Sequence, residues 1–268
     1  MSLLHLVVLA MVQGITEFLP ISSSGHLVLV PIFTGWQDQG LLLDVAVHVG
    51  TLGAVVLYLS TDIWGILVGL IRVMRGRRDP KAILALYIVL ATIPVVIAGY
   101  LFNKYYPGGI RSILVIGWAT LGFGIFLAIT DWLGMTVRRM EHIRLSDALI
   151  IGVFQILALI PGTSRSGITM SAARLLGFER PDAARFSMLL SIPAIVGAGV
   201  LKGLELYETG NAQPTSDALM AGGMAFATAL VAIMIMMAWL RRASFAPFVF
   251  YRVALGCILL AFGYDLIG

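Results

Sequence analysis

QGITEFLPISSSGH, running from Gln13 to His26, is a polar and reactive stretch set between two apolar arms. Residues 3–19 form the first arm and carry Gln13 and Glu17. Pro20 lacks a backbone donor and stops a helix there. Ser22, Ser23, Ser24 and Gly25 follow, residue types that open helices. The second arm, residues 27–34, reaches only about 13 Å at 1.5 Å per residue. That is too short for a hydrocarbon core of about 30 Å. The stretch therefore reads as a re-entrant helix–loop–helix that dips into a membrane and returns. Irregular backbone survives at that depth only where protein or a cavity surrounds it. An ionisable group such as Glu17 is then a functional-site candidate by default.

The rest of the chain agrees with a membrane setting. Its 268 residues are 59% hydrophobic and 12% charged, with a mean hydropathy of +0.97. Soluble domains carry about 25% charged residues. The net charge of +4 is no nucleic-acid signal, because the basic residues fall in short loops between apolar runs. The one cysteine, Cys257, excludes an intrachain disulfide and a multi-cysteine metal site. MSLLHLVVLAMV at the start has no basic n-region and does not read as a cleavable signal peptide.

Six apolar runs are long enough to span: 41–60, 82–101, 112–130, 183–201, 218–240 and 248–267. Pro94 is a candidate kink. Residues 63–71 read as interfacial, followed by a basic loop from Arg72 to Lys81. Gly35 to Gly40, Asn103 to Arg111 with Pro107-Gly108-Gly109, Asp131 to Arg144, and Lys202 to Asp217 read as polar connections. A second broken stretch, QILALIPGTSRSG from Gln155 to Gly167, is flanked by residues 147–160 and a short arm 166–177.

The halves look duplicated. At an offset of 142, Gln13 falls on Gln155, Ser22 on Ser164, Ser24 on Ser166, Gly25 on Gly167 and Gly35 on Gly177. One residue of slippage later, Arg111 falls on Arg252, Leu114 on Leu255 and Gly122 on Gly263. The expected architecture is a single all-α polytopic membrane domain over residues 1–268. It has six spanning helices and two re-entrant pairs, arranged as an inverted-topology repeat of about 1–141 and 142–268. Loop charge supports the inversion. Fourteen of the eighteen Lys and Arg lie in 61–81, 131–147, 174–185 and 241–252. Lys104, Arg111 and Lys202 are the outer basic residues. By the positive-inside rule both termini are outside.

The chemistry concentrates in the two breaks. Gln13 and Glu17 share a helix face; a plain polar bridge between helices is the competing reading. Ser22 to Ser24 cap a helix and form an anion site at its N-terminus. His26 sits in the first turn beside them. Arg165 grips phosphate with two parallel hydrogen bonds and stays charged when buried; it is equally a counter-ion for Glu17. Thr163, Ser164 and Ser166 are caps or ligands, and Thr169 faces the site from one turn further on. His5, His48 and His142 read as packed residues, Asp44 and Asp182 as helix starters. Arg72, Arg75, Arg77 and Arg78 read as a topology signal, and Met234, Met236 and Met237 as apolar filling.

QGITEFLPISSSGH and PGTSRSG resemble the paired signatures of the undecaprenyl-diphosphate phosphatase family of the bacitracin-resistance type. The likeness extends over DVAVHVGTLGAVV and essentially the whole chain. It implies hydrolysis of the terminal phosphate of undecaprenyl diphosphate, recycling the carrier lipid for cell-envelope glycan synthesis. It also implies a divalent cation, Mg²⁺ or Ca²⁺, bridging the substrate phosphates with few protein ligands. Carried over by motif, the catalytic residues are Glu17, Ser23, His26 and Arg165. Ser22, Ser24, Ser164, Ser166, Gly167 and Thr169 bind phosphate, and Glu17 with Gln13 holds the metal. Many members carry Glu where this chain has Gln13, which removes a charge. Either Ser23 or His26 serves as nucleophile. The expected partners are the polyprenyl diphosphate and the bilayer, with no nucleic acid; a homodimer is left open. The expected location is the bacterial inner membrane, with the site facing the periplasm. The rival class is a lipid flippase or transporter, since inverted repeats with broken helices are its hallmark. A structural membrane subunit would leave Glu17 and Arg165 unexplained.

Overall fold

The computed structural model describes residues 2–36, 40–106, 110, 112–208 and 215–266. Among these residues the chain forms eleven α-helices and two short 3-10 turns. Beta structure among them is confined to an isolated bridge between Arg138 and Phe178. Gln39, the Pro107-Gly108-Gly109 turn, Arg111 and part of the connection 202–217 lie outside the described residues.

The first broken stretch joins α1 (Leu3–Thr16) to α2 (Ser23–Thr34), and the two arms pack together. The second joins α7 (Leu145–Gln155), through a 3-10 turn at Ile156–Leu159, to α8 (Arg165–Leu175). Among the described residues six helices are long and apolar enough to cross a membrane: α3 (Leu41–Tyr58), α5 (Pro80–Tyr105), α6 (Ile113–Leu133), α9 (Arg180–Glu208), α10 (Ser216–Leu240) and α11 (Ala246–Gly263). They match the six expected runs. Between α3 and α5 lies α4 (Ser60–Met74), the expected interfacial segment grown to four turns.

Boundaries differ where polar residues end a run in sequence but not in space. α9 begins at Arg180 and continues past Lys202 to Glu208, because that lysine is paired with Asp44 on α3. Asp131, expected in a connector, still belongs to α6; it accepts from the side-chain N–H groups of Arg174 and Arg180 and from the Phe245 backbone. Pro94 sits inside an unbroken α5.

The packing interlocks the two halves of the chain. α3 lies against α10 and α6 against α11. The first arm of each hairpin docks on a long helix of the other half, α1 on α10 and α7 on α5. Small residues let these backbones approach. A Cβ on Gly14 would stand 2.7 Å from Thr228 Cβ and 2.9 Å from the Ala225 carbonyl oxygen. Ala10, Ala225 and Ala229 beside it are wholly buried.

The expected inner end is laced with ion pairs. Asp62 takes Lys81 and Arg185, Asp79 takes Arg72, and Asp147 takes Arg138. Two residues counted as inner-loop charges lie wholly inside the protein. Arg174 in α8 and Arg252 in α11 are both 0% exposed. Arg174 pairs with the Asp131 carboxylate and with carbonyl oxygens, and Arg252 spends its guanidinium on carbonyl oxygens alone. The inner-end excess survives without them.

Candidate active site

The two breaks are built alike. After α1 the chain turns through Leu19 and Pro20, with the Ile21 N–H donating to the Leu19 carbonyl at 2.8 Å. Ser22 then takes φ 77° and caps α2, its Oγ accepting from the Gly25 N–H. In the second break Gly162 takes φ 96° and Ser164 φ 71°; Ser164 Oγ accepts from the Gly167 N–H and caps α8. Left-handed serines cost energy and persist only where the surroundings hold them. Here the holder is Arg252. Its Nη1 donates to the Pro20 carbonyl at 3.1 Å and its Nη2 to the Gly162 carbonyl at 2.9 Å, with further bonds to Ala119 and Thr120 of α6. A Cβ on Gly124 would stand 2.8 Å from Arg252 Cβ, so that glycine makes room for the staple.

With both breaks fixed, Glu17 and Arg165 meet. Arg165 Nη2 donates to Glu17 Oε1 at 2.7 Å. Oε2 accepts from Ser23 Oγ at 2.7 Å and from Gln13 Nε2 at 2.9 Å. Glu17 is only 7% exposed, so these three donors replace its hydration. A cavity of about 240 Å³ opens onto the cluster. Ser22, Ser23 and Ser24 line it from α2, and Ser164 and Arg165 from α8. Both helices begin at its wall, and the first N–H groups of a helix have no intrahelical acceptor. The arrangement suits an anion held between two helix N-termini and a guanidinium.

Not every expected site residue reaches the cavity. His26 turns to the other side of α2. Its Nδ1–H donates to the Ser22 carbonyl at 2.6 Å, since a carbonyl can only accept, and Nε2 accepts from the Tyr251 hydroxyl at 2.6 Å. Ser166 Oγ donates to the Leu19 carbonyl and ties the second break to the first. Thr169 bonds to the Arg165 carbonyl and to Ser187 of α9. Gly167 gives its N–H to the Ser164 cap. Gln13 lies behind Glu17, with its Oε1 buried and unpartnered, off the cavity wall.

These side chains do not fit a resident divalent cation. Among the described residues Glu17 is the one carboxylate on the wall, and its oxygens already accept from Arg165, Ser23 and Gln13. No group of three His, Cys, Asp or Glu comes together among the described residues. Gln13 gives its amide N–H to Glu17 and turns no oxygen toward the cavity.

The packed reading of His48 needs correction. It lines the cavity, with Nε2 4.0 Å from Glu17 Oε2, and its Nδ1–H donates to the Asp44 carbonyl at 2.7 Å. Lys202 also lines the cavity, from α9. Neither has a polar neighbour in sequence of the kind found in the breaks. Arg252 did carry a signal, a lone cation inside the apolar run FVFYRVALG. His5, by contrast, packs on Trp36 at 4.5 Å between ring centroids. Asp44 and Asp182 stand in the first turns of α3 and α9, as expected.

The model of the bacitracin resistance protein BacA family matches residues 6–258. The chain is 53% identical to undecaprenyl-diphosphatase 1 of Rhodospirillum rubrum, over 98% of this chain and 96% of that protein. It is 52% identical to the undecaprenyl-diphosphatase of Ruegeria pomeroyi, over 99% and 100% of the two chains. The undecaprenyl-diphosphatase of Erythrobacter litoralis is 47% identical over 98% of this chain and 100% of its own length.

Proposed function

The chain belongs to the bacitracin resistance protein BacA family, and on that premise we propose that the cavity is where undecaprenyl diphosphate loses its terminal phosphate. The protein is an undecaprenyl-diphosphatase, a multi-pass membrane hydrolase. One observation carries the assignment of roles: Ser23 Oγ donates to Glu17 Oε2 at 2.7 Å, beside Arg165 and at the N-termini of two helices.

In this reading Glu17 takes the Ser23 proton and Ser23 Oγ attacks the terminal phosphorus. The bond from that phosphorus to the bridging oxygen breaks, and the lipid phosphate leaves with the electron pair. A phosphate leaving group needs no proton, so Glu17 keeps the one it received. Water from the open cavity then attacks the phosphoserine. Ser23 Oγ departs with the proton from Glu17, and both water protons leave on inorganic phosphate. Arg165 and the helix N–H groups stabilise the developing phosphoryl charge. Preference for Ser23 over His26 as nucleophile rests on the hydrogen bonds that occupy both His26 ring nitrogens. His26 with Tyr251 holds the Ser22 carbonyl, and so holds the turn that presents Ser23.

Mg²⁺ or Ca²⁺ enters in this reading as the counter-ion of the substrate diphosphate, bringing its own waters. The inner membrane is the location, with the cavity open to the periplasm and the two hairpins re-entrant from opposite faces. The loop-charge bias supports that orientation. The inverted repeat is supported by the matched caps and the crossed docking of α1 and α7.

The test is release of inorganic phosphate from a polyprenyl diphosphate by the purified protein, with and without a chelator. Absence of release with metal present would sink the reading. For orientation, Thr34→Cys with Cys257 removed should react with an impermeant thiol reagent applied outside intact cells. Reaction only after permeabilisation would reverse the topology.

A further inference from the structure

We propose that Lys202 is the second cationic ligand of the substrate, holding the phosphate that stays with the lipid while Arg165 holds the one that is transferred. This rests on the reading of the cavity as a lipid diphosphate site. The substrate class carries two linked phosphates, and the cavity wall carries two cations at different depths. The Arg165 side chain is 17% exposed and docked on Glu17; the Lys202 side chain is 42% exposed.

α9 is shaped to bring Lys202 there. Ala194, Ala198 and Lys202 are spaced four apart on one helix face, and all three line the cavity, with Gly199 between them. The small residues leave the volume and the lysine ends the row. A Cβ on Gly199 would meet nothing within 4 Å, so the wall is open at that residue.

The present partner of Lys202 holds it loosely. Its Nζ stands 3.6 Å from Asp44 Oδ2, whereas the inner-end pairs of Asp62 with Lys81 and of Asp131 with Arg180 close to 2.9 and 2.7 Å. Asp44 belongs to α3, one turn before His48, and α3 reaches the cavity through Val45 and His48. Its carboxylate occupies the ammonium when no phosphate is present, and an entering dianion displaces it. The division of labour follows from side-chain chemistry. A planar fork fixes the geometry of the phosphoryl group that reacts, and a mobile point charge suits the one that only has to be retained. Lys202 is also one of only three basic residues placed against the inside bias of the loops.

The experiment compares inorganic pyrophosphate with inorganic phosphate as ligands of the detergent-solubilised full chain, by calorimetric titration of the parent, Lys202→Met, Lys202→Arg and Asp44→Asn. Lys202→Met should weaken pyrophosphate binding about tenfold and phosphate binding less than twofold. Lys202→Arg should restore most of the loss. Asp44→Asn should tighten pyrophosphate two- to fivefold by removing the competitor. If the pair is only a latch between α3 and α9, Lys202→Met and Asp44→Asn will lower the melting temperature alike and shift both ligands alike; that result overturns the proposal. Equal weakening of phosphate and pyrophosphate by Lys202→Met overturns it too. Kinetics give a second readout, with KM for the lipid diphosphate rising about tenfold and kcat falling less than threefold. The titrations do not depend on turnover, so an inactive parent would count against the phosphatase reading while they still judge Lys202.

Discussion

The two broken hairpins share a backbone and differ in their chemistry. At the offset of 142, Ser22 and Ser164 both adopt positive φ and both cap the following helix through their own Oγ. Ser24 and Ser166 each approach the capping serine, and Gly25 and Gly167 each supply the capped N–H. Where the first break has Glu17, Ser23 and His26, the second has Leu159, Arg165 and Ile168. Shared positions make the turn and part of the cavity wall; Glu17, Ser23 and Arg165 stand at unshared ones. The same turn is built twice, and the cluster at the cavity takes one contribution from each, Glu17 and Ser23 from the first break and Arg165 from the second.

Substitutions at unshared positions should therefore remove activity without unfolding the protein, and the reverse should hold at shared ones. The largest effect is expected from Glu17→Gln. The amide keeps the size of the side chain and loses the base, so turnover should fall by about 10²–10⁴ with a melting curve close to the parent. Near-normal kcat would make Glu17 a structural bridge. Arg165→Lys keeps the charge and loses the planar fork. Misplacing a donor to a developing phosphoryl charge is worth roughly 3–4 kcal/mol, or about 10²–10³ in kcat. Turnover within threefold would mean that Arg165 acts as a point charge and that orientation comes from the helix N-termini. The smallest effects belong to Ser22→Gly and Ser164→Gly. Glycine accepts the positive φ and forfeits the cap, for a few tenths of a kcal/mol. Both variants should melt slightly and equally lower, with kcat within about threefold. Loss of activity in Ser22→Gly alone would break the equivalence and give Ser22 Oγ a role in catalysis.

The helices were legible because apolar runs of the right length have few other destinations. The breaks were legible because proline, glycine and serine clusters punctuate them in a way no spanning helix tolerates. The pairing of Glu17 with Arg165 was foreseeable as soon as two opposite charges sat in two breaks. His48 was not, because what makes it part of the site is a carboxylate 31 positions away that folding brings to 4.0 Å. Arg174 and Arg252 misled for a related reason. A charge near a helix end reads as a loop charge, yet both answer to partners far away in sequence, Asp131 and Gly134 in one case and Pro20 and Gly162 in the other. His26 shows the reverse case: it is close in sequence to Glu17 and the serines, and its ring meets Tyr251 of α11.

The Arg252 staple also bears on whether this protein could work as a rocker. Transport by alternating access needs one half to swing against the other about the bound cargo. Here a single guanidinium is bonded to carbonyls of both hairpins and of α6. A hydrogen bond to a charged group contributes about 1.5–3 kcal/mol, so an excursion that tore only two would be sampled by roughly one molecule in a hundred or fewer. One side chain thus ties the two breaks to each other and to α6, and it does so from behind the cavity rather than from its wall.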